Sequence, residues 1–211
     1  MTDIILIFVL PVADIGMDCY TVSITHTSMC FKPEERAVLR KNAVRKGRNT
    51  MGFFSKLGKK KEFCIASPIS GQAISAQEIE DETFCASLLG YTIGIQPADG
   101  KVYAPADGTV SIVFETGHAV GLQTADGAEV LIHIGIDTVS LNGEPFHTHV
   151  KEGDRVQQGD LLIEFDGDAI RAAGYSTTTA VIVTNTDAFA AIDEHIGAVT
   201  HGDTLLTVRK K

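Results

Sequence analysis

Two histidines near the middle of the sequence occupy positions where an imidazole could act as a nucleophile, a base or a metal ligand. Residues 130–136 carry apolar β-branched side chains at every even position, which is typical of a strand whose even positions enter a core. His133 is therefore predicted to lie on the outer face of this strand, and Asp137 follows on the same side. This outer face is the candidate site.

The segment before this strand is predicted to be the other strand of a hairpin, with Thr116 and His118 on one face. Between the two strands, the dipeptide that begins at Asp126 is Asp-Gly, a strong signal for a two-residue loop. That loop would place His118 diagonally across from His133, with backbones roughly 7–8 Å apart and side chains within reach of one shared group. A three-residue loop would separate the two faces.

The elements that must position these side chains are short strands joined by tight turns. The 211-residue chain is 44% hydrophobic, contains 20 Gly and lacks Trp. Its Pro-x-x-Gly, Asp-Gly and Asn-Gly sequences are turn signals between Val- and Ile-rich runs of strand length. Only residues 79–89 and 187–196 are predicted as short helices. The pattern predicts an all-β fold.

Two pairs of segments repeat each other along the chain. Residues 66–73 resemble residues 104–110 in their Pro-x-x-Gly pattern, and residues 156–162 resemble residues 199–206 around a Gly-Asp pair. Such repetition predicts an antiparallel β-sandwich or barrel built from two similar halves.

Charge is unevenly distributed along the chain. From Glu62 to the C-terminus there are 7 Lys and Arg against 22 Asp and Glu, which leaves a net charge of −15. Such a surface repels a phosphate backbone, so nucleic acid is excluded as a partner and a basic protein is favoured. The four cysteines show no CxxC spacing, which is typical of reduced thiols in a cytoplasmic protein.

The first 61 residues differ in composition from the rest. Residues 1–50 contain a basic run without clear periodicity, and they are predicted to be an extension outside the fold, because Met51 begins a segment that resembles a protein start. Residues 51–61 combine apolar side chains with Lys, and this basic amphipathic tail could contact an anionic membrane surface weakly. The apolar run at residues 4–10 is too short to span a bilayer. The folded domain is predicted over residues 62–211.

The segment around His133 resembles the phosphohistidine signature of the glucose-family enzyme IIA (EIIA type 1) of the bacterial phosphoenolpyruvate-dependent sugar phosphotransferase system. A Glu-Thr-Gly-His sequence ending at His118 matches the second active-site histidine of that family. The resemblance rests on four segments, residues 115–118, 127–139, 153–160 and 181–185. It extends from about Met51 to Lys211, so it covers nearly the whole predicted domain.

The resemblance implies a cytoplasmic phosphoryl carrier with a duplicated hybrid (barrel-sandwich) fold, which accepts phosphate from phospho-HPr and passes it to a cysteine of a IIB domain. His133 would carry the phosphate as tele-phosphohistidine, with its other ring nitrogen held by the carbonyl of Gly135. His118 would stabilise the phosphoryl group and Thr116 would orient His118. No cofactor is required for this transfer, and zinc would bind between the two histidines only if a partner supplied a further ligand.

The resemblance also implies a docking surface around the site. Phe84, Phe114 and Leu131 would form its apolar part, while Asp81 and Asp137 would meet basic residues of the donor. Leu131 departs from the family, in which Phe is common at this position, and the change is expected to alter docking rather than chemistry. Phosphate on the site histidine would add charge to this surface, so other proteins could also sense the phosphorylation state and be regulated by it.

Two other functions are compatible with parts of the sequence. A zinc peptidase of the lysostaphin kind would use His147 and His149 with His118 as a third ligand, but its HxH follows a Gly-x-x-Val-x-x-Gly turn that here comes later, at residues 153–159. A biotinyl or lipoyl carrier is suggested by residues 150–160. Those carriers present a Lys at a hairpin tip, beside Met in the biotin case, and the chain contains no Met-Lys pair. The four histidines outside the signature are predicted to be surface residues: His147, His149, His195 and His201.

Overall fold

A computed structural model describes residues 62–211, which form short strands joined by tight turns. The strands are β1 (Glu62–Ala66), β2 (Gly71–Ser75), β3 (Tyr91–Pro97), β4 (Lys101–Tyr103), β5 (Gly108–Val113), β6 (Ala119–Thr124), β7 (Glu129–His133), β8 (Phe146–Thr148), β9 (Arg155–Val156), β10 (Leu161–Phe165), β11 (Thr179–Val183), β12 (Phe189–Glu194), β13 (Gly197–Val199) and β14 (Thr204–Lys210). The α-helices are α1 (Glu82–Cys85) and α2 (Gly167–Ala172), and single 3-10 turns span Ala76–Glu78, Thr138–Leu141 and Thr186–Ala188.

The strands of the described residues form three sheets. The largest has the order β13-β2-β3-β11-β7-β6-β5-β9, and the two smaller sheets have the orders β1-β14-β12 and β4-β10-β8. Every pairing is antiparallel. One core joins the sheets, since Ile65 of β1, Leu162 of β10 and Ile132 of β7 belong to the same buried cluster. The prediction of an all-β, antiparallel β-sandwich with minor short helices is confirmed.

The large sheet is built from two similar halves. Outward from its centre, β7, β6, β5 and β9 on one side correspond in order to β11, β3, β2 and β13 on the other. Each half contains a turn with Gly-Asp at its third and fourth positions, at residues 157–160 and 200–203, and hydrogen bonds connect each turn to a residue distant in sequence. The Gly N–H and the Asp carbonyl of each turn bond to a single residue, Ala104 at 2.9 and 2.8 Å in the first and Ser67 at 2.9 and 2.7 Å in the second. The sequence repeat therefore corresponds to a structural repeat.

Strand β7 alternates as predicted as far as His133. Ile132 is fully buried in the main core, whereas Leu131 packs on the opposite face against a second apolar cluster. Ile136 is buried as predicted, but not through the alternation of the strand, because the strand has ended before it. Gly135 adopts a φ of 76° and turns the chain, so Ile136 packs in the second cluster instead.

The loop between β6 and β7 has three residues, 125–127, so the prediction of a two-residue loop is wrong. The register pairs Ala119 with His133. The hydroxyl of Thr124 accepts the N–H of the residue after the loop at 2.9 Å, and Gly127 adopts a φ of 95°. This is the arrangement of a three-residue hairpin loop with a bulge at its glycine, which carries the same Asp-Gly sequence as a two-residue loop.

The two site histidines meet despite this register, because residues 114–118 do not continue a strand. They form the turn between β5 and β6, in which Gly117 adopts a φ of 67° and donates its N–H to the carbonyl of Phe114 at 2.7 Å. The strand predicted for this segment is therefore wrong. Because His118 lies in a turn, its side chain does not have to follow the alternation of a strand and can point toward His133. The ring centroids of the two histidines are 4.8 Å apart.

The two predicted helices have different outcomes. Residues 187–196 are not a helix but contain β12, which pairs with β14, and this non-local pairing outweighs a local propensity that is weak either way. Within residues 79–89 a helix forms only over α1, where the carboxylate of Asp81 caps the first turn by accepting a backbone N–H. Helix α2 was not predicted and is capped in the same way by Asp166.

The expectations for residues 1–50 and 51–61 concern segments outside the described residues. Within residues 62–211, no helix combines the length and the hydropathy that are needed to cross a bilayer. This part of the chain contains two cysteines, Cys64 on β1 and Cys85 on α1, and neither forms a disulfide.

Candidate active site

His133 is the last residue of β7 and lies between two aromatic rings. Its ring centroid is 5.1 Å from that of Phe84 on α1 and 4.8 Å from that of His118. Its Nδ1 lies 2.9 Å from the carbonyl oxygen of Gly135. Because a carbonyl can only accept, Nδ1 carries the proton and Nε2 keeps its lone pair in the neutral ring. The geometry leaves Nε2 as the atom that can react.

His118 lies deeper, with only 4% of its surface exposed. Its Nδ1 is 2.5 Å from the hydroxyl oxygen of Thr116, and the rings of Phe114 and Phe146 pack around it at centroid distances of 5.3 and 6.5 Å. Burial, together with repulsion from the charged form of His133, lowers the pKa of His118 to about 4. His118 is therefore neutral at pH 7, and its Nε2 can donate a hydrogen bond when Thr116 donates to Nδ1.

The electrostatic environment of His133 also favours a neutral ring. Burial lowers the pKa of His133 below its ordinary value. The carbonyl of Gly135 and the carboxylates of Asp81 and Asp137 act in the opposite direction without outweighing burial. A neutral imidazole has a lone pair that can attack an electrophile, so the reactive form predominates near neutral pH.

An apolar surface adjoins the two histidines. Phe84, 7% exposed, and the partly buried Leu131 belong to the second apolar cluster. The other members of this cluster are Ile74, Ile79, Ile136, Ala180 and Ile182. Leu88 and Leu89, 68% and 46% exposed, lie beside residues 184–187 after β11, at the end of β11 away from His133, and Val139 beyond the site strand is 51% exposed. The sequence did not single out these three exposed residues, because apolar side chains in short runs look like core positions.

The two predicted docking carboxylates differ in their local roles. Asp81 is half-buried and accepts the N–H of Phe84 at 2.9 Å, so it also fixes the start of α1. Asp137 is exposed and adopts a φ of 56°. Both are close enough to raise the affinity of His133 for a proton. The structure therefore groups all nine predicted site residues around the two histidines: Asp81, Phe84, Phe114, Thr116, His118, Leu131, His133, Gly135 and Asp137.

The His-x-His pair lies away from this cluster. His147 and His149 are exposed, as are the other two histidines outside the signature, and His149 bonds to Glu164 at 2.9 Å. On β8 it is Phe146, the neighbour of His147, that packs against His118, and successive residues of a strand face opposite sides. Within residues 62–211, no three His, Cys, Asp or Glu side chains are grouped so that they could hold a metal ion. The ligand set of a zinc peptidase is thus not assembled.

Several contacts at the site could not have been found from the sequence. Phe146 reaches His118 from a strand of another sheet, and Ser176 approaches Gly135 from the loop before β11. Thr138 is fully buried beside the same glycine. A threonine after a strand is a weak sequence signal for a functional site, because a threonine in this position more often stabilises a turn.

Residues 63–189 match the family described as phosphoenolpyruvate-dependent sugar phosphotransferase system, EIIA 1. The chain is 42% identical over 150 residues to the glucose-specific EIIA component of Halalkalibacterium halodurans, an alignment that covers 71% of this chain and 87% of that protein.

Longer proteins and a solved structure are also similar to this chain. It is 49% identical over 129 residues to the beta-glucoside-specific EIIBCA component of Dickeya chrysanthemi, which covers 61% of this chain and 20% of that protein. The chain therefore spans about a fifth of the length of this relative. The glucose permease IIA from Mycoplasma capricolum superposes with a TM-score of 0.66 at 34% identity and covers 74% of this chain and 99% of that structure. The chain belongs to the EIIA type 1 family of the phosphoenolpyruvate-dependent sugar phosphotransferase system.

Proposed function

We propose that this chain carries a phosphoryl group on His133 during sugar uptake, taking it from phospho-HPr and passing it to a cysteine of a IIB domain. The observation that carries the proposal is the contact between the rings of the buried His118 and the half-buried His133, in which the Nδ1 of His133 is held by a carbonyl. Membership of the family accounts for phosphoryl transfer in general, and this geometry supports the assignment to one atom.

In the proposed step, the lone pair of Nε2 of His133 attacks the phosphorus atom of the donor in line. The bond between phosphorus and the donor breaks, and its electron pair leaves with the donor. Nδ1 keeps its proton and donates it in a hydrogen bond to the carbonyl of Gly135, 2.9 Å away, so no proton has to move within His133 during the transfer. Positioning of the two reacting atoms supplies most of the rate in transfers of this kind.

His118 is proposed to stabilise the transferred group. Its ring centroid lies 4.8 Å from that of His133, and its Nδ1 can accept a hydrogen bond from the hydroxyl of Thr116 at 2.5 Å. The Nε2–H that this leaves would donate to a phosphoryl oxygen on His133. The transfer would need no metal, because His133 supplies the nucleophile and His118 supplies the hydrogen-bond donor to the phosphoryl oxygen.

The apolar surface beside His133 is proposed as the docking surface for both protein partners. Phe84 and Leu131 lie in one cluster next to the reacting ring, and the carboxylates of Asp81 and Asp137 lie beside it. Similar relatives include EIIBCA components, whose names combine IIA with IIB and IIC. That combination supports a IIB domain as acceptor, while the acidic rim supports a basic donor such as HPr.

The purified chain should be incubated with enzyme I, HPr and labelled phosphoenolpyruvate. The parent is expected to acquire acid-labile, base-stable label, and the His133→Gln variant none, because the nucleophile is gone. The His118→Gln variant should accept label but pass it to a IIB domain about 100-fold more slowly, as expected when one transition-state donor is lost.

The His149→Gln variant is the matched control, since it removes an exposed imidazole outside the site. It should be labelled like the parent. A correctly folded parent that takes no label from phospho-HPr, or a His133→Gln variant that is labelled normally, would show that the proposal is wrong.

A further inference from the structure

The carbonyl that holds the site histidine lies in a turn with two anchors. Thr138, fully buried, donates its hydroxyl to the carbonyl of Ile134 at 2.5 Å. Ile136 donates its N–H to the carbonyl of Ser176 at 3.1 Å. The Ile134 carbonyl and the Ile136 N–H belong to the two planar peptide units on either side of the Gly135 Cα atom. One anchor therefore fixes each unit.

The second anchor determines where the carbonyl of Gly135 points. In a trans peptide unit the C=O and N–H groups point in opposite directions. Because the N–H of Ile136 donates to the Ser176 carbonyl, the carbonyl of Gly135 in the same peptide unit points to Nδ1 of His133, 2.9 Å away. A change in the orientation of this unit would therefore be felt at the imidazole.

The first anchor and Gly135 are packed against each other. Gly135 adopts a φ of 76°, and a Cβ atom there would overlap the Cγ2 methyl of Thr138 and lie 2.7 Å from the Ser176 carbonyl oxygen. Asp137, between them in sequence, has a φ of 56° and a ψ of 17°, a conformation that few non-glycine residues adopt. The turn thus brings the Thr138 side chain back over the glycine, with its methyl on Gly135 and its hydroxyl on the preceding peptide.

We propose that Thr138 is a positioning residue for phosphoryl transfer: its hydroxyl fixes the peptide unit before Gly135, and this supports the next unit, whose carbonyl bonds to Nδ1 of His133 and so keeps Nε2 free of a proton. The inference rests on the proposed function, in which Nε2 is the phosphorylated atom. Without the hydroxyl, the peptide unit before Gly135 loses its anchor, only the bond from Ile136 to Ser176 still orients the turn, and the Gly135 carbonyl holds Nδ1 as the donor less strictly. An Nε2 that carries the proton has no lone pair with which to attack phosphorus.

The nitrogen NMR shifts of the His133 ring report which ring nitrogen carries the proton, and they can be measured on the unphosphorylated full chain. The variants are Thr138→Val, which removes only the hydroxyl, and Thr138→Ser, which keeps it. The matched control is Thr92→Val on β3, which is separated from β7 by β11. Thr92 is likewise buried, at 3% exposure, and donates its hydroxyl to a backbone carbonyl, that of Gly90, at 3.1 Å.

In the parent, Thr138→Ser and Thr92→Val proteins, the shifts should show the proton on Nδ1 of His133. In Thr138→Val the proton should be distributed over both nitrogens, and acceptance of phosphate from phospho-HPr should slow about tenfold, as expected for a displaced reacting group. A folded Thr138→Val protein with parental His133 shifts would overturn the proposal, and so would a Thr138→Ser protein that behaves like Thr138→Val.

If Thr138→Val does not fold, Thr138→Cys compared with Thr138→Ser answers the same question, because a thiol is a much weaker donor than a hydroxyl. Identical His133 shifts in these two variants would also overturn the proposal. The ring measurement involves no phosphate. A parent that fails to accept phosphate would therefore count against the proposed function, while the shifts would still test the role of Thr138.

Discussion

The domain contains two histidine pairs with nearly the same ring separation and opposite environments. The ring centroids of His118 and His133 are 4.8 Å apart, and those of His147 and His149 are 4.7 Å apart. The first pair is enclosed by aromatic and apolar side chains. The second pair faces solvent beside Glu164, which bonds to Nε2 of His149 at 2.9 Å. Proximity of two imidazoles is common to both pairs, so it does not by itself make a site.

The difference lies in which ring atoms are already bonded and in how much water is excluded. In the buried pair, neutral groups hold both Nδ1 atoms, the hydroxyl of Thr116 and the carbonyl of Gly135, and burial lowers the pKa of both rings. In the exposed pair, a carboxylate oxygen of Glu164 lies 2.9 Å from Nε2 of His149, so that nitrogen is already engaged in a hydrogen bond. A neutral ring with one fixed donor is suited to nucleophilic chemistry, whereas a ring paired with a carboxylate on the surface is not.

The largest effect on this contrast should come from Gly135→Ala, because only the buried pair depends on a backbone carbonyl held in a turn. The new Cβ would overlap Thr138 and lie 2.7 Å from the Ser176 carbonyl oxygen, so we expect the free energy of unfolding to fall by about 3 kcal/mol. Gly153→Ala is the control, since Gly153 has a φ of 88° but nothing within 4 Å of its Cβ position. It should cost about 1 kcal/mol. Equal losses in urea unfolding would contradict this account.

A smaller effect should follow from acid, through the depressed pKa of His118. Burial and the charge of His133 lower that pKa from 6.5 to about 4. Between these values the unfolded chain binds a proton that the native state does not. Stability is therefore fully present above pH 6.5 and is lost as the pH falls toward 4, by about 2 kcal/mol at pH 5 from this residue. Urea unfolding at pH 7.5 and pH 5 measures the loss, which should be smaller in His118→Gln; an equal loss in the variant would refute the assignment.

The smallest effect should come from the exposed pair. The hydrogen bond from His149 is the main cause of the lowered pKa of Glu164, and Lys101 contributes less. His149→Ala should therefore raise the pKa of Glu164 toward its ordinary value, which carboxyl carbon NMR can follow. Surface pairs of this kind contribute little, so unfolding and phosphate acceptance should stay at the parental level. A loss of phosphate acceptance in this variant would remove the distinction between the two pairs.

Predictions from local sequence patterns were correct where the structure depends on local sequence, and they were wrong where it depends on pairing between distant segments. The alternation of β7 was predicted and is observed, because burial of one face imposes a period of two. The loop between β6 and β7 was predicted one residue too short, since Asp-Gly serves loops of both lengths. Residues 187–196 were predicted as helix, although pairing with β14 makes most of them a strand. That pairing joins segments whose affinity for each other is not readable from either one.

The amino-acid sequence alone determined which chemical groups are present and which of them belong together. A histidine after an alternating strand, a second histidine after Glu-Thr-Gly and a glycine two residues beyond the first are all visible in the sequence, and so is the acidic charge. The tertiary structure decided what those groups can do. Phe146, Ser176 and Thr138 approach the site from separate segments, burial lowers the pKa of both imidazoles, and the turn after β7 directs one carbonyl at Nδ1. Desolvation and hydrogen-bond direction depend on the distances between these segments, and only the folded chain sets those distances.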